Sequence, residues 1–153
     1  MAVSHTQDRL PEADTQAEGF DRTRSDHRSE IAEDYVELIA DLIDATGEAR
    51  AVDLANRLGV TNATVTNAIT RLQRDGLVRS EPYRSIFLTD NGRDLAEHCR
   101  RRHHIVFQFL RSLGVRDDVA RVDAEGIEHH VSDETLAAFD RFLRERDCGV
   151  QNG

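Results

Sequence analysis

From Asp26 onward, Ile31, Tyr35, Leu38, Ile39 and Leu42 recur three or four positions apart, which predicts a long amphipathic helix ending near Gly47. Arg50–Leu58 reads as a short helix with Val52, Leu54, Ala55 and Leu58 as its apolar set; Gly59-Val60 follows as a tight turn and Asn62–Asp75 as a third helix. Gly76 stops that helix. Leu77–Ser80 and Ile86–Leu88 then bracket Glu81-Pro82-Tyr83-Arg84-Ser85, a strand, a turn and a strand. Thr89 is placed to cap a long helix reaching about Leu113, which Gly114-Val115 breaks. Asp117–His130 and Asp133–Arg146 read as two more helices, the second capped by Ser132. Residues 1–25 show no sustained apolar period and are expected to form a disordered acidic arm, and 148–153 a disordered tail. The predicted fold class is mainly α with one small β-hairpin.

Residues 51–75 follow a helix-turn-helix pattern. The second helix is expected to present Thr61, Asn62, Thr64, Thr66, Asn67 and Thr70 outward while Ala63, Val65, Ile69 and Leu72 point inward. Short hydroxyl and amide side chains approach base edges and phosphates closely, as a helix in the major groove requires. The hairpin then becomes a wing carrying Arg79 and Arg84 toward flanking backbone. This unit reads as a winged helix-turn-helix over residues 26–89, with Thr61, Asn62, Thr64, Thr66, Asn67, Arg71 and Arg84 as the DNA-contact candidates and double-stranded DNA as the partner.

Charge sharpens that reading. Residues 1–46 hold 12 acids and 4 arginines, net −8; residues 47–89 hold 4 acids and 6 arginines, net +2; residues 90–153 hold 13 acids and 10 arginines, net −3. An acidic protein with one mildly basic island is unsuited to indiscriminate polyanion binding and suited to a local DNA contact. At 153 residues the chain fits one domain, or two small subdomains, at the usual ~100–200 residues per domain. No apolar run approaches the ~18 residues of a membrane span. Met1–Asp14 has no hydrophobic segment of the secretory kind, and Cys99 and Cys148 alone make no disulfide framework. The expectation is a cytoplasmic protein with neither a membrane nor a small organic molecule as partner.

The candidate chemistry lies in acidic and histidine clusters. Asp34 and Glu37, three residues apart, share a face of the first long helix beside its apolar stripe. Glu125, Glu128 and His129 fall at i, i+3 and i+4 on the fifth helix, and Arg102-His103-His104 sits mid-way along the fourth. Four carboxylates brought together without a cation repel or stay protonated. Two divalent ions would cancel the charge, with imidazoles completing the shells, and an oxygen-rich set suits Mn²⁺ or Fe²⁺ better than zinc. Taken singly, the first cluster also fits a solvated acidic face, and the tandem histidines also fit surface or core positions.

Together, Glu33-Asp34-Tyr35-Val36-Glu37, the winged helix, Arg102-His103 and Asp123-Ala124-Glu125-Gly126-Ile127-Glu128-His129-His130 resemble the diphtheria-toxin-repressor family, and within it the manganese transport regulators. The resemblance runs from about Arg28 to Phe142. It implies a homodimeric repressor of manganese uptake genes, typically an NRAMP-type transporter, that binds operator DNA when two Mn²⁺ ions per chain are held by Asp34, Glu37, His103, Glu125, Glu128 and His129. It also implies a helical metal-binding and dimerisation domain over residues 90–147. Iron-sensing relatives carry methionine in place of Asp34 and cysteine in place of Glu125, and an SH3-like domain that is not expected here; Fe²⁺ is the alternative ion. Two departures stand out: Asn67 replaces a usual lysine of the recognition helix, and Ser85 a frequent glycine of the wing. The helices beyond Asp90 (Ile105, Val106, Phe109, Leu110, Val131, Leu136, Phe139, Phe142) are expected to leave apolar surface for a dimer seam.

Two other classes are weighed against this one. A dimetal carboxylate enzyme would carry paired Glu-x-x-His motifs, and the chain has no such pair, nor a phosphate-cradling glycine loop, a G-x-S-x-G elbow or H-E-x-x-H; no enzymatic activity is expected. A metal-independent or iron-responsive winged-helix regulator remains the alternative.

Overall fold

The structure, a computed structural model, describes residues 10–81 and 83–150. The described residues form six helices and one two-stranded sheet: α1 (Ala13–Thr46), α2 (Ala51–Leu58), α3 (Asn62–Arg74), β1 (Val78–Arg79), β2 (Phe87–Leu88), α4 (Asp90–Ser112), α5 (Asp117–Glu128) and α6 (Asp133–Val150). β1 and β2 run antiparallel with Val78 opposite Leu88 and Arg79 opposite Phe87. A bridge between Ala49 and Ile86 ties the hairpin to the end of α1, a pairing invisible in the sequence because two residues carry no period.

The core explains the order of the elements. Val36, Ile39 and Leu42 of α1, Leu54 of α2, Val65, Ile69 and Leu72 of α3, and Val78, Ile86 and Leu88 of the hairpin bury together. Burying each such side chain contributes roughly 1.5–3 kcal/mol, so α1 is welded to the DNA-binding unit along its second half. α4 then packs against α1, α5 and α6. The junction is tight. Thr89 accepts the Gly92 amide at 3.1 Å and donates its hydroxyl to the Gly76 carbonyl at 2.6 Å. Gly92 sits so close to Leu77 that an added Cβ would collide with the Leu77 carbonyl oxygen. Gly59 turns α2 into α3 at φ 67°, a left-handed conformation that favours glycine. Ser132 accepts the Thr135 amide at 3.1 Å, as its expected capping role requires.

Several expectations are corrected. The first nine residues of the expected disordered arm lie outside the described residues, but Ala13–Ser25 is helical and continuous with α1. This stretch is exposed, so no apolar period marks it. Its helicity rests on good helix formers, on the Arg22–Asp26 and Asp21–Arg24 pairs, and on propagation from an already nucleated helix, which costs far less than starting one. The expected disordered tail likewise begins as helix, since α6 continues through Gly149 and Val150; residues 151–153 lie outside the described residues. Ala63 and Val52 are exposed instead of inward. Phe109 stacks on Phe139 at 3.9 Å and meets Phe142 edge-on at 5.5 Å, while Phe142 keeps 37% of its surface exposed. On α5, Val119, Val122 and Ile127 are further exposed apolar residues. Among the described residues, no helix is long and apolar enough to cross a membrane.

Candidate metal centre and DNA-facing surface

One face of α1 presents Glu30, Glu33, Asp34 and Glu37, three or four residues apart, to the C-terminal end of α5. There His129 follows the last turn with only 2% of its side chain exposed. Its Nδ1 lies 2.6 Å from Glu33 Oε2, and its Nε2 lies 3.2 Å from Asp34 Oδ1 and 3.5 Å from Glu128 Oε1. On the other side of Glu128, His103 of α4 brings Nδ1 to 3.3 Å from Glu125 Oε1. Donor atoms of Glu30, Asp34 and His129 form one compact group, and those of His103, Glu125 and Glu128 another. The residues inferred from the sequence thus converge from α1, α4 and α5. Sequence reading missed Glu30 and Glu33 as members; their one-turn spacing from Asp34 and Glu37 was the available signal. His130, weighed in the sequence with the tandem histidines, has Nε2 3.3 Å from Glu30.

Electrostatics mark this cluster as incomplete. Glu128 is 1% exposed, yet among the described residues neither of its carboxyl oxygens has a hydrogen-bond partner; Glu37 Oε1 and His103 Nδ1 are likewise buried and without a hydrogen-bond partner there. Burial, then the neighbouring Glu37 charge, pushes the Glu128 carboxyl up to about 8. Burial and the charge of Glu125 push Glu37 up to about 7. For His129 burial alone favours the neutral ring, but contact with Asp34 and Glu33 and the charge of Glu128 outweigh it, raising the imidazole to about 10. Buried polar atoms without partners cost about 1–3 kcal/mol each. Carboxylate oxygens and imidazole nitrogens that converge unpartnered are the donor set of a divalent transition metal, so the residues fit such an ion.

Arg102, beside His103, anchors the cluster's far wall. It donates to the Glu128 carbonyl through Nε (3.1 Å) and a terminal nitrogen (2.5 Å), and to the Val131 carbonyl at 2.8 Å. The Glu128 carbonyl closes α5 and the Val131 carbonyl lies in the loop beyond it, and the guanidinium holds both against α4.

The second surface lies on α3. Thr61, Asn62, Thr64, Thr66, Asn67 and Thr70 are all exposed. Thr61 caps the helix by accepting the Thr64 amide at 3.1 Å, so its side chain is occupied locally. Thr66 and Thr70 bond back to the carbonyls of Asn62 and Thr66. The outer face of α3 and the wing enclose an open cleft that includes Asn62, Thr66, Thr70, Tyr83 and Arg84. Tyr83 stands fully exposed at the wing tip with φ 61°. Arg71 is displaced from this cleft and lines a second one, between α1 and α3, with Arg28 and Asp75.

Comparison with known proteins places both halves. Residues 27–86 match the family described as "Iron dependent repressor, N-terminal DNA binding domain", and residues 89–148 match "Iron dependent repressor, metal binding and dimerisation domain". The chain is 51% identical over 135 residues to the transcriptional regulator MntR of Escherichia coli O6:H1, covering 88% of this chain and 87% of that protein. It is 50% identical over 142 residues to the transcriptional regulator MntR of Salmonella typhimurium, covering 93% and 90%. Among solved structures, a manganese-dependent transcriptional repressor in complex with manganese superposes with a TM-score of 0.66 at 35% identity, over 73% of this chain and 52% of that one. The manganese regulator SloR superposes with a TM-score of 0.65 at 28% identity, over 74% and 53%. The chain therefore spans about half the length of these solved relatives.

Proposed function

The chain belongs to the iron dependent repressor family, that of the diphtheria-toxin repressor, and on that premise we propose that it is a manganese(II)-activated transcriptional repressor of manganese uptake genes, acting as a cytoplasmic homodimer on double-stranded operator DNA. Residues 26–89 would serve as the DNA-binding unit and 90–147 as the metal-binding and dimerisation unit. The observation that carries this reading is the set of buried donor atoms of Glu37, His103 and Glu128, without hydrogen-bond partners among the described residues, where α1, α4 and α5 meet. Asp34, Glu37, His103, Glu125, Glu128 and His129 would hold two ions. The donors are oxygens and imidazole nitrogens, which favours Mn²⁺.

When bound, Mn²⁺ supplies the positive charge that lets these carboxylates be ionised side by side. The remaining steps belong to the chain. Without compensation, near pH 7 Glu128 is mostly protonated, Glu37 about half protonated, and His129 stays cationic between Glu33 and Asp34. With Asp34 and Glu37 committed to the same centre as His103 and His129, α1 is held to α4 and α5. Because α1 is packed into the core with α2 and α3, fixing it fixes α3. In a dimer the spacing of two recognition helices then matches half-sites about one DNA turn apart. A coupling of only ~1–3 kcal/mol gives a several-fold to hundredfold change in DNA affinity. The exposed Val119, Val122 and Ile127 of α5 support a dimer surface on that helix.

Fluorescence anisotropy of labelled DNA from upstream of the host's manganese-uptake gene tests this. Binding that appears with Mn²⁺ and reverses on chelation is the expected result. Equal binding with and without metal would favour a metal-independent regulator, and activation by Fe²⁺ but not Mn²⁺ an iron-responsive one.

A further inference from the structure

We propose that Glu33 is a positioning residue of the metal centre: by accepting the Nδ1 proton of His129 it fixes the ring so that Nε2, and only Nε2, faces the bound ion. The inference rests on the reading of this cluster as a Mn²⁺ site and adds a residue outside its ligand set. Glu33 Oε2 and His129 Nδ1 are 2.6 Å apart. An ionised carboxylate accepts hydrogen bonds and donates none, so the shared proton belongs to Nδ1. With Nδ1 as the donor, Nε2 on the opposite ring edge is the nitrogen that offers a lone pair to an ion. That edge points at Asp34 Oδ1, 3.2 Å away, and Glu128 Oε1, 3.5 Å away.

Three features separate Glu33 from its acidic neighbours. It meets His129 on the ring edge away from Asp34 and Glu128, so it does not share their position. It lies on α1 whereas His129 closes α5, so the bond spans the interface that the metal is to clamp. And His129, 2% exposed, has little access to water that would replace a lost acceptor. A metal-ligating histidine whose other nitrogen donates to a carboxylate is held in one orientation and made more basic; loss of such a partner typically weakens metal binding ~10–100-fold.

The test is a Mn²⁺ titration of the full chain followed by the electron paramagnetic resonance signal of free Mn²⁺, for wild type, Glu33→Ala, Glu33→Gln, His129→Ala and the Glu33→Ala/His129→Ala pair. Glu33→Ala is expected to lose ~10–100-fold in affinity. Glu33→Gln, whose amide oxygen still accepts from Nδ1, is expected to recover much of that loss. In the His129→Ala background the Glu33 substitution is expected to cost little, because the residue acts through that ring. Wild-type affinity in Glu33→Ala would overturn the proposal. So would a Glu33→Gln as weak as the alanine variant, which would make Glu33 a source of charge alone, or an undiminished effect in the His129→Ala background. A second readout needs no substitution: in the Cd²⁺-loaded wild-type protein with ¹⁵N-labelled histidine, His129 is expected to be protonated at Nδ1 and metal-bound at Nε2, and coordination through Nδ1 would overturn the assignment. Wild-type protein that binds no Mn²⁺ at all would instead bring down the underlying reading, and this proposal with it.

Discussion

Metal binding to this cluster should expel protons in a number set by pH. Glu37, Glu128 and His129 hold their protons up to about 7, about 8 and about 10 respectively, and a ligand must be deprotonated to bind a cation. At pH 6 all three are protonated in the metal-free protein, so these groups release about three protons; at pH 7.5 Glu37 is mostly ionised and Glu128 mostly not, and the release falls to about two; at pH 9 only His129 still carries its proton, leaving about one. Each proton released steepens the rise of apparent affinity by about tenfold per pH unit, so near pH 7.5 one unit changes Mn²⁺ affinity ~100-fold, about 2.7 kcal/mol. The sign is fixed: affinity falls as pH falls. Isothermal titration calorimetry of Mn²⁺ into metal-free protein, repeated in buffers of different ionisation enthalpy, counts the protons directly. A release near zero at pH 7.5, or one that does not fall between pH 6 and 9, would refute the argument that buried carboxyls and a caged imidazolium guard this site.

Glu125, 61% exposed and 3.3 Å from His103, should be dispensable for folding, so Glu125→Ala is expected to abolish Mn²⁺-dependent DNA binding while leaving the circular dichroism spectrum unchanged; a normal Mn²⁺ response would count against the ligand set. Gly92→Ala would drive a Cβ into the Leu77 carbonyl oxygen and to 3.2 Å from Leu88 Cδ2. An overpacked junction of this kind costs ~1–3 kcal/mol, visible as a fall of several degrees in Tm. Arg84 at the wing, paired among the described residues with the exposed Glu81 at 3.0 Å, is placed for a phosphate contact. Arg84→Ala is expected to weaken binding to all DNA sequences alike and to lower the salt-dependence slope by about one, measured by anisotropy over a range of salt; an unchanged slope would remove Arg84 from the interface.

Much of this protein was legible in one dimension. Val36, Ile39 and Leu42, or Val65, Ile69 and Leu72, mark buried helical faces because a helix that packs must repeat its apolar side chains every third or fourth residue, and Thr61, Thr89 and Ser132 mark helix starts because a terminal amide needs an acceptor. The ligand candidates were legible for the same reason: Asp34 with Glu37, and Glu125 with Glu128 and His129, share a helix face by spacing alone. Where no face is buried the periodicity falls silent, and so Ala13–Ser25 was misread as disordered although it propagates α1. The short bridge from Ala49 to Ile86 and the contacts of Phe109 with Phe139 and Phe142 lay equally beyond reach, since no period encodes which neighbour a residue meets. Only the tertiary structure decided that Glu33, ninety-six residues from His129, sits on the far edge of that ring, that Arg102 grips the carbonyls of Glu128 and Val131, and that both Glu128 oxygens lie buried without a hydrogen-bond partner among the described residues. The sequence determines which side chains share a face of one helix, because that depends on 3.6 residues per turn. Which faces of different helices meet, and how much water remains between them, depends on how α1 crosses α4 and α5, and from that crossing come the raised proton affinities and the converging buried donors that support the proposed metal centre.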